Sequence, residues 1–125
     1  MSSASATPNT YPYQNESIWS KSEKTIARTV FDAALKGELQ DVMQQAKQMA
    51  NQIKDPADVW GLEHYLTERR KEIDRKYDYR YSQLPRVFGR LLCEGRVSEE
   101  ELRGLRDDKL KSIRSLAGFL AKYAA

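Results

Sequence analysis

From residue 21 to residue 54 the apolar positions recur at helical spacing. Ile26, Ala27, Val30, Phe31, Ala34 and Leu35 are followed by Leu39, Val42, Ala46, Met49 and Ile53, and from Leu35 onward the steps are 4, 3, 4, 3 and 4. A period of about 3.5 is the seam of a helix that packs along a partner helix. Ser20 with Glu23 forms a capping box that starts this helix by satisfying two free backbone donors. Gly37 costs on the order of 1 kcal/mol inside a helix and is read as a kink. Asp55-Pro56 ends the first helix and opens the second, because proline disfavours helical geometry before it yet suits the first helical turn. The second helix is expected from Pro56 to about Ser82, with Val59, Leu62, Leu66 and Ile73 on one face, and Pro85 ends it. Phe88, Leu91 and Leu92 predict a short third helix closed by Gly95. Ser98 and Glu101 form a second capping box, predicting a helix with Leu102 and Leu105. A last helix carries Leu110, Ile113, Leu116, Ala117, Leu120 and Tyr123. No alternating strand pattern is present, and the fold class is all-α.

The lengths predict an elongated molecule. A straight helix over 21–54 spans about 50 Å, whereas a compact domain of 125 residues is roughly 35 Å across. A projecting apolar seam needs a cover, and the simplest is a second copy of the chain in a two-fold homodimer. A hairpin with the second helix is the alternative, and the two are compatible. The seam comprises Leu39, Val42, Ala46, Met49, Ile53 and Val59. Residues 1–17 are rich in Ser, Thr, Pro and Asn and carry one charge, Glu16, so they read as a flexible arm. The expected organisation is an arm (1–17), an elongated two-helix dimerisation region (18–83) and a helical head (84–125).

Composition narrows the function classes. Hydrophobic residues make up 40% and charged residues 31% of the chain, and no window approaches the roughly 18 apolar residues of a membrane helix. No secretion signal is expected, and the single cysteine, Cys93, excludes an internal disulfide or multi-cysteine metal site. The expected compartment is cytoplasmic. The net charge of +3 is uneven: residues 1–85 hold 12 basic and 12 acidic side chains, and residues 86–125 hold nine and six. A basic C-terminal third suggests a DNA-binding helix pair over 98–123. Glu99, Glu100, Glu101, Asp107 and Asp108 interrupt it and would repel phosphates, so no nucleic-acid partner is expected.

Catalysis has little support. His64 is the only histidine, with Glu68 one turn on, and there is no phosphate-binding glycine loop or nucleophile–base ordering. Cys93 lies in an apolar run and reads as a small buried hydrophobe. No metal or cofactor is expected. The informative stretch is VWGLEHYLTERRKEIDRKYDYRYS, residues 59–82. Beside its apolar face runs a second stripe of Trp60, Glu63, His64, Thr67, Arg70, Asp74, Tyr77 and Tyr81. Two readings stand: the aromatics fill a second core, with Tyr77 and Tyr81 toward Leu84 and Phe88, or Trp60 and its polar neighbours form a binding hot spot. Gly61, unfavourable in a helix, suits close approach by a partner backbone.

The run from Trp60 to Ser82, above all Glu72 through Ser82, resembles the fluorescence recovery protein family of cyanobacteria. The likeness extends to Trp19-Ser20, Ile26-Ala27 and Phe31-Asp32 upstream, and to Val87-Phe88, Glu94-Gly95, Glu101-Leu102, Asp108-Lys109 and Ile113 downstream. It implies an all-α homodimer that is not an enzyme. It also implies a partner, the red photoactivated form of the orange carotenoid protein, bound chiefly at its C-terminal domain. The family hastens that partner's return to the orange form and its release from the phycobilisome on the thylakoid face. The family's functional patch of a Trp, a His-Asp pair and an Arg maps to Trp60, Glu63, His64 and Arg70, with acid and imidazole in the opposite order. On the head, contacts are expected at Arg86, which stands where the family has an aromatic residue, and at Phe88. These departures leave open a homologue of the same fold with a different protein partner.

Overall fold

The computed structural model describes residues 18–124, so the arm at 1–17 lies outside the described residues. Four α-helices follow in order: α1 (Lys21–Asn51), α2 (Val59–Lys76), α3 (Leu84–Cys93) and α4 (Asp107–Ala124), with a 3₁₀ turn at Pro56–Asp58 before α2. There is no strand among the described residues. The all-α reading therefore holds.

The Ser20 capping box starts α1 as the sequence predicts: Glu23 N–H donates to Ser20 Oγ at 3.1 Å and Ser20 N–H to Glu23 Oε1 at 3.0 Å. The helix then runs unbroken through Gly37 for 31 residues, about 46 Å. Its N-terminal half is not a free seam. Ala27, Val30, Phe31 and Ala34 join Leu84, Val87, Phe88, Leu91, Val97, Leu102, Leu105 and Ile113 in one core. The two head helices thus complete their core with α1. At their crossing, a side chain at Gly89 would lie 2.9 Å from Leu116 Cβ, so α3 and α4 approach at a separation that only glycine allows.

Three expectations about local structure are corrected. The second helix ends at Lys76, six residues before Ser82. Tyr77, Tyr79 and Tyr81 then alternate along a non-helical segment, and their rings form one row. Tyr77 and Tyr79 meet Phe31 edge-on at 5.4 and 4.8 Å, and Tyr81 meets Trp19 at 5.5 Å. A helix would point these alternate residues in nearly opposite directions; core aromatics outweigh helix continuation. Second, the Ser98–Glu101 hydrogen bonds form, but residues 98–106 make tight turns rather than a helix. Their backbone bonds, such as Leu102 N–H to Glu99 C=O, span three residues, and Gly104 adopts φ +105°, which stops any helix. Leu102 and Leu105 are still buried. Third, Phe88 is fully buried and packs in the core, so its ring is not offered to a partner.

Two buried ionic contacts tie the pieces together. Glu23 accepts from the backbone N–H of Arg106 at 2.9 Å and from Lys109 Nζ, which also donates to the Ile18 carbonyl at 2.8 Å. Both charged residues are shielded from solvent. Farther along α1, Glu38 receives Lys76 Nζ at 2.7 Å, Arg69 Nη2 at 2.9 Å, Tyr77 OH at 2.8 Å and Arg96 Nε at 3.1 Å. Asp41, Glu72, Glu94 and Arg90 extend this cluster to four carboxylates and four cations.

Burial opposes ionisation of Glu38, but the hydrogen bonds from Lys76, Arg69 and Tyr77 outweigh it and hold its carboxyl at about 2. Burial, with the Glu38 carboxylate beside it, pushes the Tyr77 hydroxyl up. Because the folded-state value of Glu38 lies below the ordinary 4.5, its contribution to stability is complete above 4.5 and is lost as pH falls toward 2. Thermal melts between pH 5 and pH 2 should therefore show a falling midpoint. Glu38→Gln should lower stability at neutral pH by about 3 kcal/mol and flatten that slope; an unchanged slope would contradict this role.

Candidate partner-binding site

Of the predicted polar stripe, Trp60, Glu63, His64 and Arg70 lie exposed on α2, whereas Tyr77 and Tyr81 fall beyond its end and pack against the core. Asp58 holds the start of this segment by accepting from the backbone N–H of Lys54 and Asp55 at 3.1 and 3.2 Å. In the first turn of α2, Trp60 is 69% exposed, the most open tryptophan position of the two. Glu63 and His64 are also exposed, and Glu63 Oε2 accepts from Thr67 Oγ1 at 2.7 Å. The Arg70 side chain is 85% exposed and only loosely paired, with Nε 3.9 Å from Asp74 Oδ2. Trp60 and Arg70 sit about 15 Å apart along the helix. These four residues share a face but no hydrogen bond or ion pair links them to one another among the described residues. The face is open and adaptable, with an aromatic at one end and a guanidinium at the other.

Arg70 lies at the edge of a second feature. Between α1 and α2 runs an apolar groove of about 670 Å³ lined by Leu35, Leu39, Val42, Leu66, Arg69, Arg70, Ile73, Asp74 and Tyr77. Leu39, Met43, Val59 and Leu66 are 40–49% exposed, an unusual density of open aliphatics for one surface. Of the expected seam, Leu39 and Val59 lie open, while Val42, Ala46, Met49 and Ile53 are half-buried. Leu35, from which the seam spacing starts, lines the same surface, as do Met43 and Leu66, which the expected seam did not include. Gly61 has open space around it.

On the head, Arg86 is exposed and its Nε donates to Gln83 Oε1 at 3.0 Å. The basic C-terminal third is largely neutralised. Arg103 pairs with Glu100, Arg106 with Asp108, and Arg114 with Glu99, and Lys109 is buried against Glu23. A phosphate backbone would meet few free cations there. Cys93 is half-buried. Among the described residues no cluster of three or more acidic, His or Cys side chains could hold a metal, and no helix is long and apolar enough to cross a membrane.

The residues missed by sequence reasoning are Glu38, Arg69 and Lys76. Their signal was available in Glu38, which stands in the helical register of Ala27, Phe31 and Ala34. A charge in a core register announces a buried partner.

An all-helical chain with an exposed tryptophan and a loosely paired arginine on one helix has the make-up of a surface for binding rather than of a catalytic cleft. Comparison with known proteins makes this particular. The family model for the photoprotection regulator fluorescence recovery protein matches residues 19–117. The fluorescence recovery protein of Synechocystis sp. (strain PCC 6803) is 40% identical over 102 residues, covering 82% of this chain and 94% of that relative. Solved structures of the fluorescence recovery proteins of Fremyella diplosiphon and of the same Synechocystis strain each superpose with a TM-score of 0.76. Both are 40% identical, and the match spans 81% of this chain and 99% of theirs. The chain belongs to the fluorescence recovery protein family of photoprotection regulators.

Proposed function

We propose that this protein is a non-enzymatic homodimeric regulator that binds the photoactivated, red orange carotenoid protein through the outer face of α2. It accelerates that partner's return to the orange form and its detachment from the phycobilisome, restoring antenna fluorescence. The observation that carries the reading is the exposure of Trp60 and Arg70 on a chain of this family. Trp60 supplies area to bury, Arg70 a charge-assisted hydrogen bond, and Glu63 and His64 polar registration. A ligand that binds the open conformer and favours the path to its closure shifts the partner's populations without any covalent step. The protein would act in the cytoplasm, at phycobilisomes on the thylakoid face. The test is the red-to-orange absorbance decay in darkness, with and without this protein.

In this reading the groove between α1 and α2 is covered by a second copy, through Leu39, Val42, Ala46, Met49, Ile53 and Val59. Leu39→Glu places a carboxylate on that surface while leaving the protomer core untouched, since Leu39 is 49% exposed. Light scattering should then show a shift from dimer to monomer with helicity retained, and a dimer of undiminished affinity would remove Leu39 from the interface. A second reading is a homologue of the same fold acting on another protein. It is favoured by Glu63, whose carboxylate is already engaged by Thr67, and by Arg86 in place of an aromatic.

A further inference from the structure

Among the described residues, α2 is joined to the rest of its own protomer by little apolar packing. Ile73 is its one buried hydrophobic residue; Leu66 lines the open groove, Val59 and Trp60 are exposed, and Leu62 and Tyr65 are half-buried. What fixes its direction is the cluster around Glu38. A single carboxylate on α1, 2% exposed, takes hydrogen bonds from two cations of α2 (Arg69 and Lys76) and from Tyr77 just beyond α2, and forms an ion pair with Arg96 beyond α3. Lys76 also reaches Glu94 of the head at 2.8 Å, so the same ammonium bridges long helix and head. Apolar contacts slide; charge-assisted hydrogen bonds to one carboxylate are directional.

We infer that Glu38 is a positioning residue: it sets the angle between α2 and the head, and so the geometry with which the Trp60 end of α2 is presented to a partner. Its consequence for activity rests on the function proposed above, whereas its geometry does not. Trp60 lies about 24 Å along the helix from Lys76, so a pivot of about 10° at the cluster carries the indole about 4 Å. Buried ion pairs often contribute little stability beyond an apolar substitute while specifying one arrangement. That separation of stability from geometry is what the experiment exploits.

Glu38→Gln leaves the buried Lys76 with Glu94 as its one carboxylate and is expected to destabilise the fold. Glu38→Met combined with Lys76→Met replaces the buried pair by apolar groups of similar reach. The remaining cations Arg69 and Arg96 keep Glu72 and Asp41 as partners. Geometry is read by energy transfer from Trp60 to an acceptor on Cys93, the only cysteine, with Trp60→Phe subtracting the share of Trp19. Activity is read by the red-to-orange decay. The inference predicts that the double variant melts near the wild type but shows altered transfer and roughly tenfold weaker acceleration. Wild-type transfer in the folded double variant would overturn it. So would a double variant that stays unfolded, because the cluster's role would then be stability itself. Altered transfer, with no acceleration even by the wild-type protein, would uphold the positioning role and reject the proposed function.

Discussion

Trp60→Ala should weaken the action of this protein on its partner by about 30-fold or more, while helicity and melting temperature stay near the wild type. The size follows from the cost of about 2 kcal/mol or more for truncating a tryptophan at the centre of an interface. The selectivity follows from the fold. Trp60 is 69% exposed in the first turn of α2, so its loss opens no cavity, and exposed substitutions usually change stability by within about 0.5 kcal/mol. The concentration of protein needed for half-maximal acceleration of the red-to-orange decay measures the effect. Arg70→Ala should act in the same direction, since its guanidinium is barely paired within the protomer. If Trp60→Ala melted well below the wild type, the indole would be part of the fold and the binding assignment would lose its basis.

Phe88→Ala should do the opposite, unfolding the head without touching the binding face. Its ring is fully buried among Leu84, Val87, Leu91 and Ile113 in the core that α1, α3 and α4 share. Removing it costs about 3–5 kcal/mol, against a total stability of about 5–15 kcal/mol for a domain of this kind. The melting midpoint should fall by roughly 10 °C or more. At temperatures where the variant remains folded, its action per folded molecule should be that of the wild type. A variant that melts normally yet fails to act would restore Phe88 as a contact residue.

The pattern of apolar positions was enough to predict α1, α3 and α4, because each carries one continuous apolar stripe, which α3, α4 and the N-terminal half of α1 bury in the same core. It failed where a different period governs. Tyr77, Tyr79 and Tyr81 are spaced for alternation, and read at helical spacing only two of the three share a stripe. Their packing against Phe31 and Trp19 depends on α1, which no local window contains. Residues 98–106 present a capping box with two leucines, and the same hydrogen bonds serve a tight turn when Gly104 follows. Charges in core register were the other lost signal. Glu23, Glu38 and Lys109 each occupy positions a hydrophobic residue would fill, and their partners lie 83 to 91 residues away for the first and last. For the site, the stripe from Trp60 to Arg70 was legible as a helix face. Its freedom from the core was not, because both readings of that face use the same spacing.

The most direct test of the central claim uses the whole chain and the orange carotenoid protein. The partner is photoactivated and returned to darkness, and the red-to-orange decay is followed as this protein is added. The account predicts an acceleration that rises with concentration, saturates, and is lost in Trp60→Ala. A decay unchanged by a folded, helical, dimeric protein would contradict it.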